Sequence, residues 1–443
     1  MYQKVKMRVR LVFIAMLVSF LSTQVASATP LAVKNKTYSD VTIRFCAEAV
    51  PTTEVLADLI PRFEKASGIQ VIVEQYPVEH LVEKQMMDLT GKTGIYDIMA
   101  VPYAQLAKYA EMGYVQPIGR LMANTELIDP DIDMDDYLQA LWKGAAESGG
   151  ELYGFPFNPC VKLLWYRKDL FEDPKEKTAF KKQYGYELAV PTNWIQYKDM
   201  AEFFTRPEEN LYGIVIPAKR HKAITEEWSC YAWSFGGEIL DENGNPVMNS
   251  SENVEALKYF MSLIKFCPPG TTDYTWDEVT TVEQQGIVAF SLQYNDQTPG
   301  LEDPSKSKVA GKGGYAGLPT QKEGATVTGP YVWVIPKYSK HAEAAYLFMQ
   351  WASSKEIDSE LGRREVVPVR KSSYYDPDVM KIAYFYPATL DALEVAHFYP
   401  TIPEWPEMAE RMALALSRAV IGEMSAQEAL DWLQDEYKEI LGK

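Results

Sequence analysis

The chain has 443 residues, with 44 Lys or Arg against 61 Asp or Glu, so its formal net charge is −17. This excess of negative charge argues against nucleic acid and anionic membrane surfaces as partners, because both would repel the protein. Hydrophobic residues make up 47% of the chain and charged residues 24%, which is typical of globular domains and excludes wholesale disorder. The length exceeds one compact core and predicts two or three domains.

The first 28 residues have the pattern of an export signal. Four basic residues stand within the first ten positions, an apolar run follows over 11–21, and Ala26 and Ala28 suit a signal peptidase. The apolar run is about half of the ~20 residues that span a bilayer. Residue 29 is Thr29 rather than a cysteine, so no lipid anchor is expected. We therefore predict cleavage after Ala28 and a periplasmic mature protein.

Strand-like and helix-like apolar periodicities alternate from residue 41 onward. The predicted elements are, in order, a strand at 41–45, a helix that ends at Gly68, a strand at 69–73, a helix at 80–89, a strand at 95–101 and a helix at 103–112. The alternation resumes near 211–216 and 331–335, and the last third is mainly helical. This order predicts an α/β fold with a mostly parallel sheet and helices on both of its faces.

Three short segments rich in Pro and Gly interrupt the alternation, at 153–159, 315–319 and 366–369. No segment has the composition of a long linker, and these three are the nearest to one. We therefore predict that the chain crosses between two α/β lobes at these segments. The predicted N-terminal lobe comprises 29–157 plus 318–366, and the C-terminal lobe comprises 158–317 plus 367–443. Several crossings between two lobes make a hinge with a cleft.

Signals for catalysis and for metal binding are missing. The four histidines are isolated, and neither a GxSxG elbow nor a Walker A sequence occurs. The aspartates that alternate over 129–135 lack the glycine and the final glutamate of a calcium loop. We therefore expect no catalytic residue, no metal site and no cofactor.

The four cysteines are scattered, and no two of them have the CxxC spacing of a zinc or redox site. Cys230 and Cys267 could form a disulfide after export, or all four could be buried free thiols. The sequence leaves both alternatives open.

Aromatic residues are abundant, with 28 Tyr, 17 Phe and 10 Trp. Six of them stand at the ends of predicted elements or beside the predicted crossings: Tyr103, Trp165, Trp228, Trp333, Tyr399 and Trp405. A polyhydroxylated ligand needs flat rings against its C–H faces and amides or carboxylates for its hydroxyls. Aromatic and polar side chains at element ends suit such a ligand.

Six blocks, in order along nearly the whole mature chain, share their pattern with one known family. They are GIYDIMAVPYAQLAKYAEMGYVQPI (94–118), YGFPFNPCVKLLWYRKDLF (153–171), PTNW (191–194), ILDENGNPVMNSSENVEALKYF (239–260, followed by KFCPPG at 265–270), GPYVWVIPKYSKHAEAAYLFMQWASSKE (329–356) and TIPEWPEMAERMALALSRAVIGEMSAQEAL (401–430). In these blocks the chain resembles the extracellular solute-binding proteins of carbohydrate ABC importers, and among them the binders of sugar alcohols and monosaccharides look closest. The resemblance implies a type II periplasmic binding protein, with two Rossmann-like lobes, a three-segment hinge and a ligand between the lobes.

The same resemblance assigns a set of ligand contacts, position by position. Cys160 stands where many relatives have an acid that grips sugar hydroxyls, so this chain departs from the family pattern there. The expected contacts are Glu48, Tyr103, Asn158, Cys160, Trp228, Tyr294, Asn295, Asp296, Gly329, Tyr331, Trp333 and Trp405, with Glu226, Glu227, Gln293 and Glu404 close by.

The expected protein is a monomeric periplasmic receptor. It delivers a small neutral sugar, a sugar alcohol or a short glycoside to an inner-membrane ABC permease by hinge closure. Two alternatives stay open. A carbohydrate-active enzyme would need two carboxylates about 5–10 Å apart across the cleft. A receptor of the same fold could instead take a polyamine, through acids and an aromatic box, or a sugar phosphate, through convergent Arg and Lys.

Overall fold

The structure is a computed structural model that describes Tyr38 and residues 40–443. The predicted export signal and its cleavage site lie outside the described residues. Within the described part, none of the helices combines the length and the apolar character that crossing a bilayer requires.

The strands are short and lie in both halves of the chain. In chain order they are β1 (Thr42–Glu48), β2 (Gln70–Tyr76), β3 (Ile98–Pro102), β4 (Glu147–Ser148), β5 (Glu151–Leu152), β6 (Gly154–Phe157), β7 (Lys162–Arg167), β8 (Phe290–Tyr294), β9 (Gly313–Ala316), β10 (Thr326–Val327), β11 (Tyr331–Val334) and β12 (Ala396–His397).

The α-helices flank the sheets and dominate the C-terminal third. They are α1 (Pro51–Ser67), α2 (Val78–Gly91), α3 (Tyr103–Glu111), α4 (Gly119–Met122), α5 (Gln139–Leu141), α6 (Lys168–Phe171), α7 (Pro174–Tyr184), α8 (Trp194–Phe204), α9 (Lys222–Ser234), α10 (Ser251–Leu263), α11 (Trp276–Gln284), α12 (Thr298–Glu302), α13 (Ala342–Ala352), α14 (Lys355–Gly362), α15 (Lys371–Tyr374), α16 (Pro377–Ile382), α17 (Tyr386–Glu394), α18 (Trp405–Val420) and α19 (Ala426–Ile440). A π-helical turn, Trp142–Ala146, follows α5.

Two sheets form the centres of two lobes. The first lobe has a five-stranded sheet in the order β2-β1-β3-β11-β6, and the second has a three-stranded sheet in the order β8-β7-β9. β1 runs parallel to β2 and β3, whereas β11 is antiparallel to β3 and β6 and all of the second sheet is antiparallel. The α/β class is confirmed, but neither sheet is mostly parallel: the first is mixed, because β11 re-enters it in the opposite direction, and the second is antiparallel.

Several elements lie within a few residues of their predicted positions, because their sequence signals are strong and local. Pro51 opens α1, where its missing N–H costs nothing, and Gly68 ends it with a left-handed φ of 78°. Ser425 and Glu428 form the predicted capping box of α19. The strand expected at 211–216 is absent as a regular element; Tyr212 forms an isolated bridge to Val288, just before β8, and the carbonyl of Gly213 accepts from Phe290 N–H at 3.1 Å.

The two main crossings lie side by side between the lobes. The chain leaves the first sheet after β6 and enters the second at β7, and it returns between β9 and β11. The Thr328 hydroxyl and the Gly329 N–H both donate to the carbonyl of Cys160, each at 2.9 Å. β12 runs parallel to β10 beside them. The segment predicted at 366–369 also joins the lobes, since Val369 N–H donates to Asp358 and Val367 packs in one cluster with Leu163 of β7.

All four cysteines are free thiols, so the disulfide alternative is wrong. Cys230 and Cys267 are buried, and their S–H groups donate to the carbonyls of Glu226 and Leu263 at 3.4 and 3.8 Å. Each thiol therefore finds its partner within its own helix or the turn that follows it.

Candidate ligand-binding cleft

A cavity of about 490 Å³ opens between the two lobes and against the hinge. The start of α3 and the end of the second crossing line one side of it, and the start of α9 and the first turns of α18 line the other. Its volume lies within the range of small-molecule sites, about 300–1,000 Å³. This cavity, which we call the solute cleft, is the candidate site.

Strand ends of the first lobe supply one wall of the solute cleft. Tyr103 follows β3 directly, and its hydroxyl accepts a hydrogen bond from the N–H of Tyr399 at 2.8 Å. Tyr331 opens β11, and Glu48 at the end of β1 is hydrogen-bonded to it. Burial raises the pKa of Tyr331, and the charge of Glu48 raises it further, so the phenol stays protonated.

The first turn of α9 supplies the opposite wall. Lys222, Thr225 and Glu226 line the cavity because residues three and four apart share one face of a helix. Glu226 accepts a hydrogen bond from the indole of Trp276 at 3.0 Å, and Lys222 Nζ lies 4.7 Å from the centre of that ring. Burial raises the pKa of Glu226, while the ammonium of Lys222 opposes the shift.

A pair of stacked rings forms a flat surface on the same side. The rings of Tyr399 and Trp405 lie 4.5 Å apart with an interplanar angle of 19°, and both residues line the solute cleft. The Tyr399 hydroxyl donates to Ser229 Oγ at 3.1 Å, which fixes its ring from behind. An apolar face with a fixed orientation is what the C–H groups of a sugar or polyol pack against.

Polar groups of the first crossing lie beside the cleft without lining it. The S–H of Cys160 donates to the carbonyl of Gly329 at 2.9 Å, and the amide of Asn158 is hydrogen-bonded to Asp296. Burial raises the pKa of Asp296 and of the Cys160 thiol. The carboxylates of Asp296, Glu226 and Glu48 raise the thiol pKa further, so Cys160 is a neutral donor at neutral pH.

A buried ionic cluster stands behind the second-lobe wall. Lys162 pairs with Glu227, and both side chains are almost fully buried. Burial lowers the pKa of Lys162, but Glu227, Cys230 and Glu226 together raise it above its ordinary value. Nearby, Glu283 accepts hydrogen bonds from Gln293 at 2.6 Å and from Ser291, and burial raises its pKa to about 7.

The structure brings only part of the predicted contact set to the solute cleft. Tyr103, Gly329, Tyr331 and Trp405 line it. Five more lie next to it through hydrogen bonds or charge: Glu48, Asn158, Cys160, Tyr294 and Asp296. Three are placed in the protein interior, away from the lining: Trp228, Asn295 and Trp333.

The local structure explains why these three residues do not line the cleft. α9 begins at Lys222, so Trp228 falls in the second turn on the inner face and is 1% exposed. Trp333 lies two residues further into β11 than Tyr331 and stacks on Phe157 at 4.1 Å. The Asn295 side chain accepts a hydrogen bond from the N–H of Val161 at 3.1 Å, which anchors the second sheet to the first crossing.

The sequence interpretation missed several cleft residues, among them Lys222 and Glu410. The sequence interpretation places Tyr399 among the aromatic residues at element ends but does not include it among the expected ligand contacts. The sequence signal for the start of α9 is weak, because its N-cap is His221 and not one of the preferred residues Ser, Thr, Asp or Asn. The His221 ring nitrogen accepts a hydrogen bond from Ala223 N–H. Among the described residues, no group of three or more His, Cys, Asp or Glu side chains could hold a metal ion.

Residues 49–358 match the family model described as bacterial extracellular solute-binding protein. The chain belongs to this family. Its members named below are binding proteins rather than enzymes. The mannitol-binding protein of Pseudomonas aeruginosa is 26% identical over 79% of this chain and 81% of the relative. A probable amino-acid ABC transporter periplasmic-binding protein of Sinorhizobium fredii is 24% identical over 85% and 82% of the two chains.

A solved structure supports the same family and the same fold. The solute-binding protein of an ABC transporter from Agrobacterium radiobacter, in complex with ribitol, superposes with a TM-score of 0.80 and 28% identity. The match covers 91% of this chain and 100% of that one. The expected family and the type II periplasmic binding fold are therefore confirmed.

Proposed function

We propose that this protein is the periplasmic receptor of an ABC importer for a small polyhydroxylated solute, either a sugar alcohol or a small sugar. The observation that carries the proposal is the stacked pair Tyr399–Trp405, which together with Tyr103 and Tyr331 lines a cavity of about 490 Å³. The mannitol-binding relative and the ribitol complex support this class of ligand.

Each wall of the solute cleft has a distinct part in binding. The C–H faces of the solute pack on the Trp405 ring, and its hydroxyls donate to the carboxylate of Glu226 and to the carbonyls of the second crossing. Tyr103 and Tyr331 bring the first lobe into contact with the same ligand. A ligand that contacts both lobes favours the closed state, because only that state offers all of its contacts.

The remaining parts of the proposal concern location and partners. We place a monomeric mature protein in the periplasm, with an inner-membrane permease as its protein partner and without nucleic acid or catalysis. The lobes that close are 29–157 plus 318–366 and 158–317 plus 367–443. The hydrogen bonds between Cys160 and the second crossing would form the hinge axis.

An amine-bearing solute is the second candidate, because the acids Glu226 and Glu410 line the same aromatic walls. Arg220 and Lys222 also line the cleft, and they would favour an anionic group instead. The charged groups therefore make the ligand's charge the first property to test.

A thermal-shift screen of the mature protein tests the proposal. The panel comprises ribitol, mannitol, glucose and maltose, and glucamine, putrescine, glucose 6-phosphate and amino acids serve as charged comparisons. A ligand at a hundred times its dissociation constant adds about 2.7 kcal/mol of stability. We expect the largest shift from a neutral polyol or monosaccharide, recovered unchanged after incubation. A shift from putrescine or an amino acid alone would overturn the solute class, and turnover of the sugar would overturn the receptor function.

A further inference from the structure

A second cavity, of about 300 Å³, lies close to the hinge. Its walls come from α5 of the first lobe, from α17, which packs on β7 of the second lobe, and from Phe398 after β12. Leu138, Leu141, Leu390 and Leu393 make it largely apolar. It shares no lining residue with the solute cleft, and we call it the rear cavity.

One dipeptide belongs to both cavities. Phe398 lines the rear cavity, and the next residue, Tyr399, lines the solute cleft. The two rings are attached to adjacent residues, so a single peptide unit links the rear cavity to the solute cleft. β12, which precedes the dipeptide, is paired with β10 of the second crossing.

The ring of Phe398 is held between two elements of the first lobe. It meets the ring of Tyr103 edge to face, with centroids 5.5 Å apart and an interplanar angle of 87°. The ring also rests on Gly144, where an added Cβ would lie 2.6 Å from the nearest ring carbons. Gly144 belongs to the π-helical turn, a rare element that is frequently found at functional sites.

The same dipeptide also holds the cleft wall. The N–H of Tyr399 donates to the hydroxyl of Tyr103 at 2.8 Å, and Tyr399 stacks on Trp405. We propose that Phe398 is a positioning residue for the solute cleft: its contact with Gly144 fixes the hydrogen bond between Tyr399 and Tyr103, and displacement of its ring into the rear cavity weakens solute binding. The affinity part of this proposal rests on the proposed function, whereas the hydrogen-bond part does not.

The variant Gly144→Ala tests the proposal without touching the solute cleft. Its methyl group must displace the Phe398 ring, and the rear cavity that the ring lines has room for the displaced side chain. We expect the Tyr399 amide to exchange its hydrogen on the order of tenfold faster in the protein without solute, because its acceptor is displaced. The dissociation constant for ribitol or mannitol should rise about threefold to tenfold. Gly119→Ala is the matched control, since an added Cβ there meets nothing within 4 Å.

A second substitution separates positioning from general damage. In Gly144→Ala/Phe398→Leu the smaller side chain makes room for the methyl group, so both amide exchange and affinity should match those of Phe398→Leu alone, with no added effect of the methyl group. Phe398→Leu alone loses the edge contact with Tyr103, so it should speed amide exchange and weaken affinity, as Gly144→Ala does. If Gly144→Ala does not fold, Phe398→Leu tests the positioning role by itself.

The proposal is overturned if the Tyr399 amide keeps its wild-type exchange in Gly144→Ala, or in Phe398→Leu where the first variant does not fold. It is also overturned if Gly119→Ala produces the same change. If no polyol or sugar of the thermal-shift panel binds even the wild-type protein, the proposed solute class is wrong, and the exchange of the Tyr399 amide still decides the role of Phe398.

Discussion

The two walls of the solute cleft are supported by different contacts in the two lobes. In the first lobe the strand ends rest on aromatic packing, in which Trp333 stacks on Phe157 and meets Phe45 edge to face at 5.8 Å. In the second lobe the wall rests on buried charge, with the pair Lys162–Glu227 and the acid Glu283 behind it. Aromatic rings also pack behind the second wall, as in the pair Trp194–Tyr231. The difference teaches that the second wall depends, in addition, on charged partners remaining together.

The largest effect should come from breaking the ion pair of the second lobe. Lys162→Met leaves the Glu227 carboxylate buried without a counter-charge, and we expect a loss of about 3–5 kcal/mol in the free energy of unfolding. Urea denaturation measures it. Lys162→Met/Glu227→Gln should recover at least half of the loss, because the uncompensated charge is gone. A single variant within about 1 kcal/mol of wild type would show that the pair is not buried as described.

The aromatic interior of the first lobe should respond differently. Trp333→Ala removes a ring that is 1% exposed, and we expect a loss of about 3–5 kcal/mol from the cavity that remains. No single partner substitution should recover it. Because Trp333 lies behind the wall, calorimetry on the folded variant should give an unchanged solute affinity. A loss of affinity at unchanged stability would return Trp333 to the ligand contacts.

A smaller effect should appear in the pH dependence of stability, and it comes from the buried acid Glu283 of the second lobe. Burial raises the pKa of Glu283 to about 7, above its ordinary value of 4.5, so between these pH values the folded protein binds more protons than the unfolded chain. The contribution of Glu283 to the free energy of unfolding therefore falls as pH rises from about 5 to about 7 and is constant above that.

Comparison with Glu283→Gln isolates this contribution. Urea denaturation at pH 5 and pH 8 should show that the variant gains about 2–3 kcal/mol relative to wild type at the higher pH. Glu255→Gln, an exposed site on α10, is the matched control. Parallel pH profiles for Glu283→Gln and wild type would contradict the assignment.

The smallest effect concerns the ring surface in the cleft. Trp405→Ala removes one ring of the Tyr399–Trp405 stack, and we expect about tenfold weaker solute binding, equivalent to about 1.4 kcal/mol. Trp432→Ala on α19, away from the cavity lining, should leave the affinity unchanged. Titration calorimetry compares the two, and equal losses would remove Trp405 from the ligand contacts.

Most of the fold could be predicted because its signals are local. The helix that ends at Gly68, the strand before Tyr103 and the capping box at Ser425 each follow from a few adjacent residues. The direction of β11 could not be predicted in this way, because strand pairing depends on where a distant segment returns to the sheet. The missing strand at 211–216 has a similar cause, since its neighbours lie far along the chain.

The candidate site was predictable where a residue stands at an element end. Tyr103 and Tyr331 follow this rule, and both line the cleft. The rule fails for Trp228, because α9 begins at Lys222 and Trp228 falls on the inner face of its second turn. It could not find Glu410 or the link between Phe398 and Gly144, which exist only once α18 and the hinge are folded together.

The central claim is that a solute binds between the two lobes and draws them together. Small-angle X-ray scattering of the mature protein, with and without saturating ribitol or mannitol, tests it most directly. The account predicts a smaller radius of gyration with the solute that calorimetry shows to bind at one site. An unchanged radius of gyration at a saturation verified by calorimetry would contradict binding with closure between the lobes.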